Sequence, residues 1–162
     1  MSVYSVDKLT TEARRLAAEY RRVTGKVLPI SGEIAVNDAI RLLGLEPAAE
    51  PGAGYDALRR RGETLERLQI KARVVFEEKK GPAKLGQLKL EKDWDFLLLV
   101  LMDEHYEPTA IYEAPRAKVK DVMLDKEPNK RGTITAAQFR HVSRRIWCRD
   151  LAADAVSSSV AP

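Results

Sequence analysis

Residues Asp95 to Asp103, DFLLLVLMD, set seven consecutive apolar side chains, Phe96 to Met102, between two aspartates. A run of that length suits a strand and falls far short of the roughly 18 residues a membrane span needs. Successive side chains on a strand point to opposite faces, so a strand that is apolar at every position must be covered on both. It therefore belongs in the middle of a mixed sheet. The fold class this predicts is α/β of the α+β kind, with a mixed central β-sheet flanked by α-helices.

The flanking segments supply the other layers. Asp7 can cap a helix whose apolar positions Leu9, Ala13, Leu16, Ala17 and Tyr20 recur at helical spacing, with Gly25 as its stop. Ser31 can cap a second helix, from Gly32 to about Leu43, ended by Gly44, with a buried stripe of Ala35, Val36, Ala39, Ile40, Leu42 and Leu43. GYDAL at 54–58 reads as a short strand, RRRGET as the turn after it, and Leu65–Phe76 as the second arm of a hairpin. EPTAIYEAP adds a strand beside the apolar one, and Pro115 suits the first turn of a following helix. Thr135 and Gln138 have capping-box spacing, which predicts a last helix to about residue 150 with Phe139, Val142 and Ile146 inside and Arg140, Arg144 and Arg145 outside. No short turn and partner helix precede it as a helix-turn-helix would require. Residues 77–94 read as a loop.

A chain of 162 residues with 44% hydrophobic content suits one domain over residues 1–150. Within it the expected parts are an N-terminal helix over 1–25, a core over 31–114, a C-terminal helix over 133–150 and a disordered tail over 151–162. The start, MSVYSVDKL, lacks a basic stretch followed by an apolar one, so a cytoplasmic protein without a membrane partner is expected. The single cysteine, Cys148, excludes an internal disulfide and a multi-cysteine zinc site. His141 lies seven positions before it on the expected last helix, yet a plain helix cysteine is the simpler account of Cys148.

Charge is segregated along the chain. Residues 59–92 carry eleven Lys/Arg against five Asp/Glu, residues 115–150 carry ten against four, and residues 93–114 carry six acids and no Lys or Arg. Two basic segments flanking an acidic one are compatible with a face that binds a polyanion, and equally with solvated surface.

Against this background a few polar residues stand out. Glu33 projects within about 20° of Ile40 on the second helix, at the edge of the expected buried stripe, although a first-turn acid is also favoured by the helix dipole. In RLQIKAR, residues 67–73, Gln69, Lys71 and Arg73 share one strand face while Leu68, Ile70 and Ala72 take the other. A hairpin can bring Asp56 beside Gln69 and Lys71. Mg²⁺ takes hard oxygen ligands and keeps several waters, so Asp56, the Gln69 amide oxygen, the Ile70 carbonyl and Glu33 form a donor set it could accept. Lys71 beside such an ion could position or deprotonate water and stabilise charge on a phosphoryl oxygen.

The order of a helix with Glu33, GYD at 54–56 and QIK at 69–71 resembles the core of the PD-(D/E)xK nucleases, the restriction endonuclease-like superfamily. The stretch from SGEIAVNDAIRLLGL to FLLLVLMDEHYEPTAIYEA is similar to a small prokaryotic domain family of that fold. The resemblance covers about residues 31–114. It implies a catalytic and metal site of Glu33, Asp56, Gln69 and Lys71, with Mg²⁺ or Mn²⁺ held by Asp56, Gln69 and Glu33. DNA is the expected partner, contacted by Arg73, Lys79, Lys80, Lys84, Arg140, Arg144 and Arg145, and a homodimer would allow both strands to be cut. One position departs from the pattern: the usual acid two residues before the lysine is Gln69, whose neutral oxygen holds a metal more weakly. Two functions follow, a Mg²⁺-dependent endonuclease or a catalytically inactive nuclease-fold module that binds DNA or a protein.

Overall fold

The computed structural model describes residues 5–50, 54–76, 85, 88, 90–124 and 134–149. In chain order these form α1 (Val6–Thr24), α2 (Ser31–Leu43), β1 (Glu46–Pro47), β2 (Ala57–Arg61), β3 (Thr64–Val74), β4 (Phe96–Met102), β5 (Pro108–Pro115), α3 (Arg116–Leu124), α4 (Ala136–Val142) and β6 (Arg144–Cys148). The strands join in one sheet in the order β1-β2-β3-β4-β5-β6. β3 pairs parallel with β4, and the other neighbours are antiparallel, so the sheet is mixed. The parallel pair needs a long crossover, which residues 75–95 provide.

β4 lies inside the sheet with both faces covered, as its unbroken apolar run requires. Leu98, Val100 and Met102 enter one core layer with Ala17 of α1 and Ile34, Ala35 and Ala39 of α2. Leu97 and Leu99 enter the other, with Val119 and Met123 of α3 and Phe139 of α4. The expected mixed sheet flanked by helices is thus present. Among the described residues no helix is long and apolar enough to cross a membrane.

Local details differ in instructive ways. Ser5, not Asp7, caps α1, accepting a hydrogen bond from the Lys8 N–H, and Gly25 closes the helix in the left-handed region. α2 begins at Ser31 itself and has no side-chain cap. Its buried face is Ile34, Ala35, Asp38 and Ala39, rotated from the expected stripe, and it turns Asp38 inward to pair with Arg14 of α1 at 2.5 Å. All three arginines of RRRGET belong to β2 or its end, and the chain turns only at Gly62 and Glu63, where Gly62 takes φ 63° as the first position of a type II′ hairpin turn prefers.

The C-terminal expectation is overturned. α4 stops at Val142, and Arg144–Cys148 adds strand β6 against β5. The capping box at Thr135 and Gln138 is present, but the open edge of β5 takes up the following residues, whose Ile-Trp pair suits a strand. Ile146 accordingly packs in the layer opposite Phe139, and Cys148 does not share a helix with His141. The tail 151–162 and most of the loop 77–89 lie outside the described residues.

Candidate functional site

The β2–β3 hairpin positions the central residues. Its last paired residues are Ala57 and Leu68, and Asp56 comes one residue beyond that pair, just before β2. The Asp56 N–H donates to the Leu68 carbonyl at 2.8 Å, and its Oδ2 accepts the Ile70 N–H at 2.7 Å. A backbone clamp therefore holds the carboxylate against β3. Gly54, two residues earlier, has φ 90°, and a Cβ there would stand 2.7 Å from Lys92 Cβ. Glycine is required at this approach to Asp56 on both counts.

The electrostatics of Asp56 report its surroundings. Burial pushes its carboxyl pKa up, the Ile70 N–H and the Lys71 charge pull it down, and the nearby Glu33 charge raises it again; the outcome is a raised pKa. Glu33 and Lys71 thus both lie within electrostatic reach of Asp56. Glu33 itself is exposed on the first turn of α2, not on the edge of the buried stripe, because the helix packs through the face centred on Ala35.

Gln69 and Lys71 stand opposite Leu97 and Leu99 of β4, on the sheet face of α3 and α4. Gln69 is buried, and among the described residues its Oε1 has no hydrogen-bond partner. A buried amide oxygen left without a partner forfeits roughly 1–3 kcal/mol, which a cation or a water at that point would recover. The oxygens of Asp56 and Gln69 are hard donors of the kind Mg²⁺ accepts, so the residues fit the ion. Among the described residues, however, no group of three or more His, Cys, Asp or Glu side chains is placed to hold a metal.

The expected nucleic-acid contacts divide. Arg73 follows Lys71 on the same strand face and is half-buried. Lys79, Lys80 and Lys84 lie outside the described residues. Arg140, Arg144 and Arg145 do not share the outer face of one helix. Arg140 is on α4 with its guanidinium 5.2 Å from the Tyr112 ring centre, and Arg145 on β6 pairs opposite Tyr112. Arg144 turns to the other face and binds Glu113 at 2.7 Å.

That pairing belongs to a cluster the sequence reading missed. Glu113, buried on β5, also accepts from Arg59 Nη1 at 2.7 Å, and Arg59 Nε donates to the buried Glu66 at 2.9 Å. The only hint was a glutamate inside the apolar run of β5. A groove of about 920 Å³ lies apart from all these residues, between α1, Phe76 and the turn at Glu104–Glu107. Three of its arginines are engaged locally: Arg14 with Asp38 and the Tyr106 carbonyl, Arg21 over the Phe76 ring, Arg22 with Glu19.

No family model matches this chain, and no curated protein matches it. Among solved structures the chain is similar to a bacterial homing endonuclease, I-Ssp6803I, at 20% identity and a TM-score of 0.45, over 65% of this chain and 72% of that one.

Proposed function

We propose that this protein is a Mg²⁺-dependent nuclease of the restriction endonuclease-like type, acting on phosphodiester bonds in DNA. The observation that carries the reading is the clamped, partly desolvated Asp56, bonded to β3 on either side of Gln69 and within reach of the Lys71 charge, with the buried Gln69 oxygen lacking a partner among the described residues. Asp56 and Gln69 would hold the ion, with Glu33 contributing charge from α2. A bound Mg²⁺ or Mn²⁺ supplies Lewis-acid stabilisation of a phosphoryl oxygen. Asp56 is pre-positioned by the Ile70 N–H, so its donor oxygen needs no rearrangement to serve. Lys71 orients the attacking water or accepts its proton, and Arg73, Arg140 and Arg145 on the same sheet face contact backbone phosphates.

A second reading, a nuclease-fold module that binds DNA or a protein without cutting, is favoured by Gln69 in place of an acid and by the lack of a three-acid cluster among the described residues. Calorimetric titration of Mn²⁺ and Mg²⁺ into the wild type and Asp56→Ala, with plasmid nicking on the same samples, tests the first. Binding and nicking that both vanish with Asp56→Ala are expected. A folded wild type that binds no metal and nicks nothing refutes it. Gln69→Glu separates the two: metal-dependent nicking that rises marks a working pocket, whereas continued inactivity with intact DNA binding marks the module.

A further inference from the structure

The stretch RRLAAEYRR, residues 14–22 of α1, repeats an arginine pair after seven residues. Seven residues are two helical turns, so the pairs stand about 10.5 Å apart along the axis, and at 100° per residue all four arginines project within about 60° of Ala18. That side of the helix forms one wall of the groove of about 920 Å³, a size within the roughly 300–1,000 Å³ of small-ligand pockets. Phe76, just past β3, and the turn at Glu104–Glu107, just past β4, line the rest. β3 and β4 are the parallel pair, and the crevice outside the carboxyl ends of parallel strands is where open α/β sheets take their ligands. The groove lies on the sheet face of α1 and α2, opposite to that of Gln69 and Lys71, and Phe76 is five residues, about 17 Å of extended chain, beyond Lys71.

Two features beside the groove cost the fold stability, and both belong to Tyr106. Its φ of 64° is an outlier for a bulky side chain, and outliers of this kind gather at ligand clamps. The turn is pinned in that shape: Asp103 Oδ1 accepts the His105 and Glu107 N–H groups, and Arg14 Nε donates to the Tyr106 carbonyl at 2.9 Å. The ring is wholly buried and stands edge-on to Phe76, 6.4 Å between centres, and among the described residues its hydroxyl has no hydrogen-bond partner. The Arg21 charge acts on that hydroxyl, which places it beside the Phe76 and Arg21 pair that lines the groove.

We propose that the groove binds a nucleoside phosphate, its phosphate held by Arg15 and Arg22 and its base by Phe76 and Arg21. Arg15 forms no salt bridge among the described residues, and the Arg22 pair with Glu19 is exposed on both sides, so it yields readily to a ligand. Guanidinium groups grip phosphate oxygens through paired hydrogen bonds. Arg21 lies over the Phe76 ring at 4.5 Å, an arginine–aromatic pair of the kind on which bases stack. Glu104 and Glu107 on the far wall, with side chains 64% and 50% exposed, supply acceptors for ribose hydroxyls and base amino groups. Four guanidinium groups facing three carboxylates suit a ligand that is anionic at one end only, whereas the further phosphates of a long polyanion would meet the glutamates. The inference stands independently of the nuclease reading.

Calorimetric titration of adenosine monophosphate into the full chain, in EDTA so that no divalent metal takes part, is the test. Binding is expected, with adenosine and inorganic phosphate each at least tenfold weaker because each keeps only part of the contacts. The double variant Arg15→Gln, Arg22→Gln should bind adenosine monophosphate at least tenfold more weakly, with circular dichroism and melting temperature unchanged because both side chains are exposed. Asp56→Ala should bind it as the wild type does. A 5′-phosphorylated dinucleotide that displaces the monophosphate supports the proposal with a strand end as the source, and one that fails to displace it supports the proposal with a free nucleotide. A folded wild type that binds no adenosine monophosphate, inorganic phosphate that binds as tightly, a double variant that binds like the wild type, or binding lost in Asp56→Ala overturns it.

Discussion

Replacing Glu113 by glutamine should cost far more than its place near a sheet edge suggests. Its side chain is 4% exposed and accepts two short hydrogen bonds, from Arg59 and Arg144. The partners differ: the Arg59 side chain is 16% exposed, that of Arg144 72%. Breaking a buried pair typically costs 3–5 kcal/mol because a charge is left uncompensated, while an exposed pair contributes no more than about 1 kcal/mol. Glutamine keeps one acceptor oxygen, and Arg59 keeps Glu66 at 2.9 Å, so the lower part of that range applies. The expected loss is about 2–3 kcal/mol at pH 7, or about 5–10 °C in melting temperature for a chain of this size.

The pH dependence gives an independent reading of the same group. Burial pushes the Glu113 pKa up, but the hydrogen bonds and charges of Arg144 and Arg59 outweigh it and leave it below the usual glutamate value of 4.5. A carboxyl whose folded-state pKa is depressed stabilises the fold above its unfolded pKa and loses that contribution as pH falls through the folded value. The gap between wild type and Glu113→Gln should therefore be full at pH 6–7 and close progressively below about pH 4.5. Urea unfolding at a series of pH values measures it. A Glu113→Gln protein within about 0.5 kcal/mol of wild type at pH 7, or Arg144→Met costing as much as Glu113→Gln, would refute this division of the cluster.

Three further outcomes are expected. Asp56→Asn should raise the melting temperature of the metal-free protein at neutral pH, because burial lifts the Asp56 pKa and the stability tied to its protonated form is lost as pH rises through that value; millimolar Mg²⁺ should stabilise the wild type and leave the variant unmoved in thermal scans. Gly54→Ala combines a φ of 90° with a 2.7 Å approach to Lys92 Cβ and should cost about 2–3 kcal/mol in urea unfolding, with weaker metal binding because Asp56 follows two residues on. Phe139→Ala removes the largest wholly buried side chain of α4 and should cost about 3–5 kcal/mol in the same assay.

Period-two alternation is a local property, and what depended on it was readable from the chain. The seven apolar residues of β4 told of two covered faces, and the alternation in RLQIKAR told which of its residues share a side. Once the two-residue turn at Gly62 is recognised, the pairing follows by counting as far as Ala57 and Leu68, which brings Asp56 to the same end of the hairpin as Gln69. Features decided by a distant partner were not readable. The residues after the capping box could continue a helix or start a strand, and the open edge of β5 decided for the strand. The orientation of α2 was one of these: its buried face carries Asp38, paired with Arg14 of α1, and leaves Glu33 exposed and away from the edge of the buried stripe.

The same distinction explains α1 and bears on the site. Helical periodicity in Leu9, Ala13, Leu16, Ala17 and Tyr20 announces an amphipathic helix but not which half of a wide apolar face the fold will use. α2 took the alanines, since only small side chains allow two helices that approach, and the leucines remained outside. On β3 the logic runs the other way. Leu68 and Ile70 fill the layer beneath α2, whereas Gln69, on the α3 and α4 side, is buried with an oxygen that no described residue satisfies. Packing accounts for every neighbour of Gln69 on this strand but not for that oxygen. An apolar residue of similar volume would need no partner there, so Gln69, two residues before Lys71 on the strand that clamps Asp56, is the position that the proposed metal site explains and packing among the described residues does not.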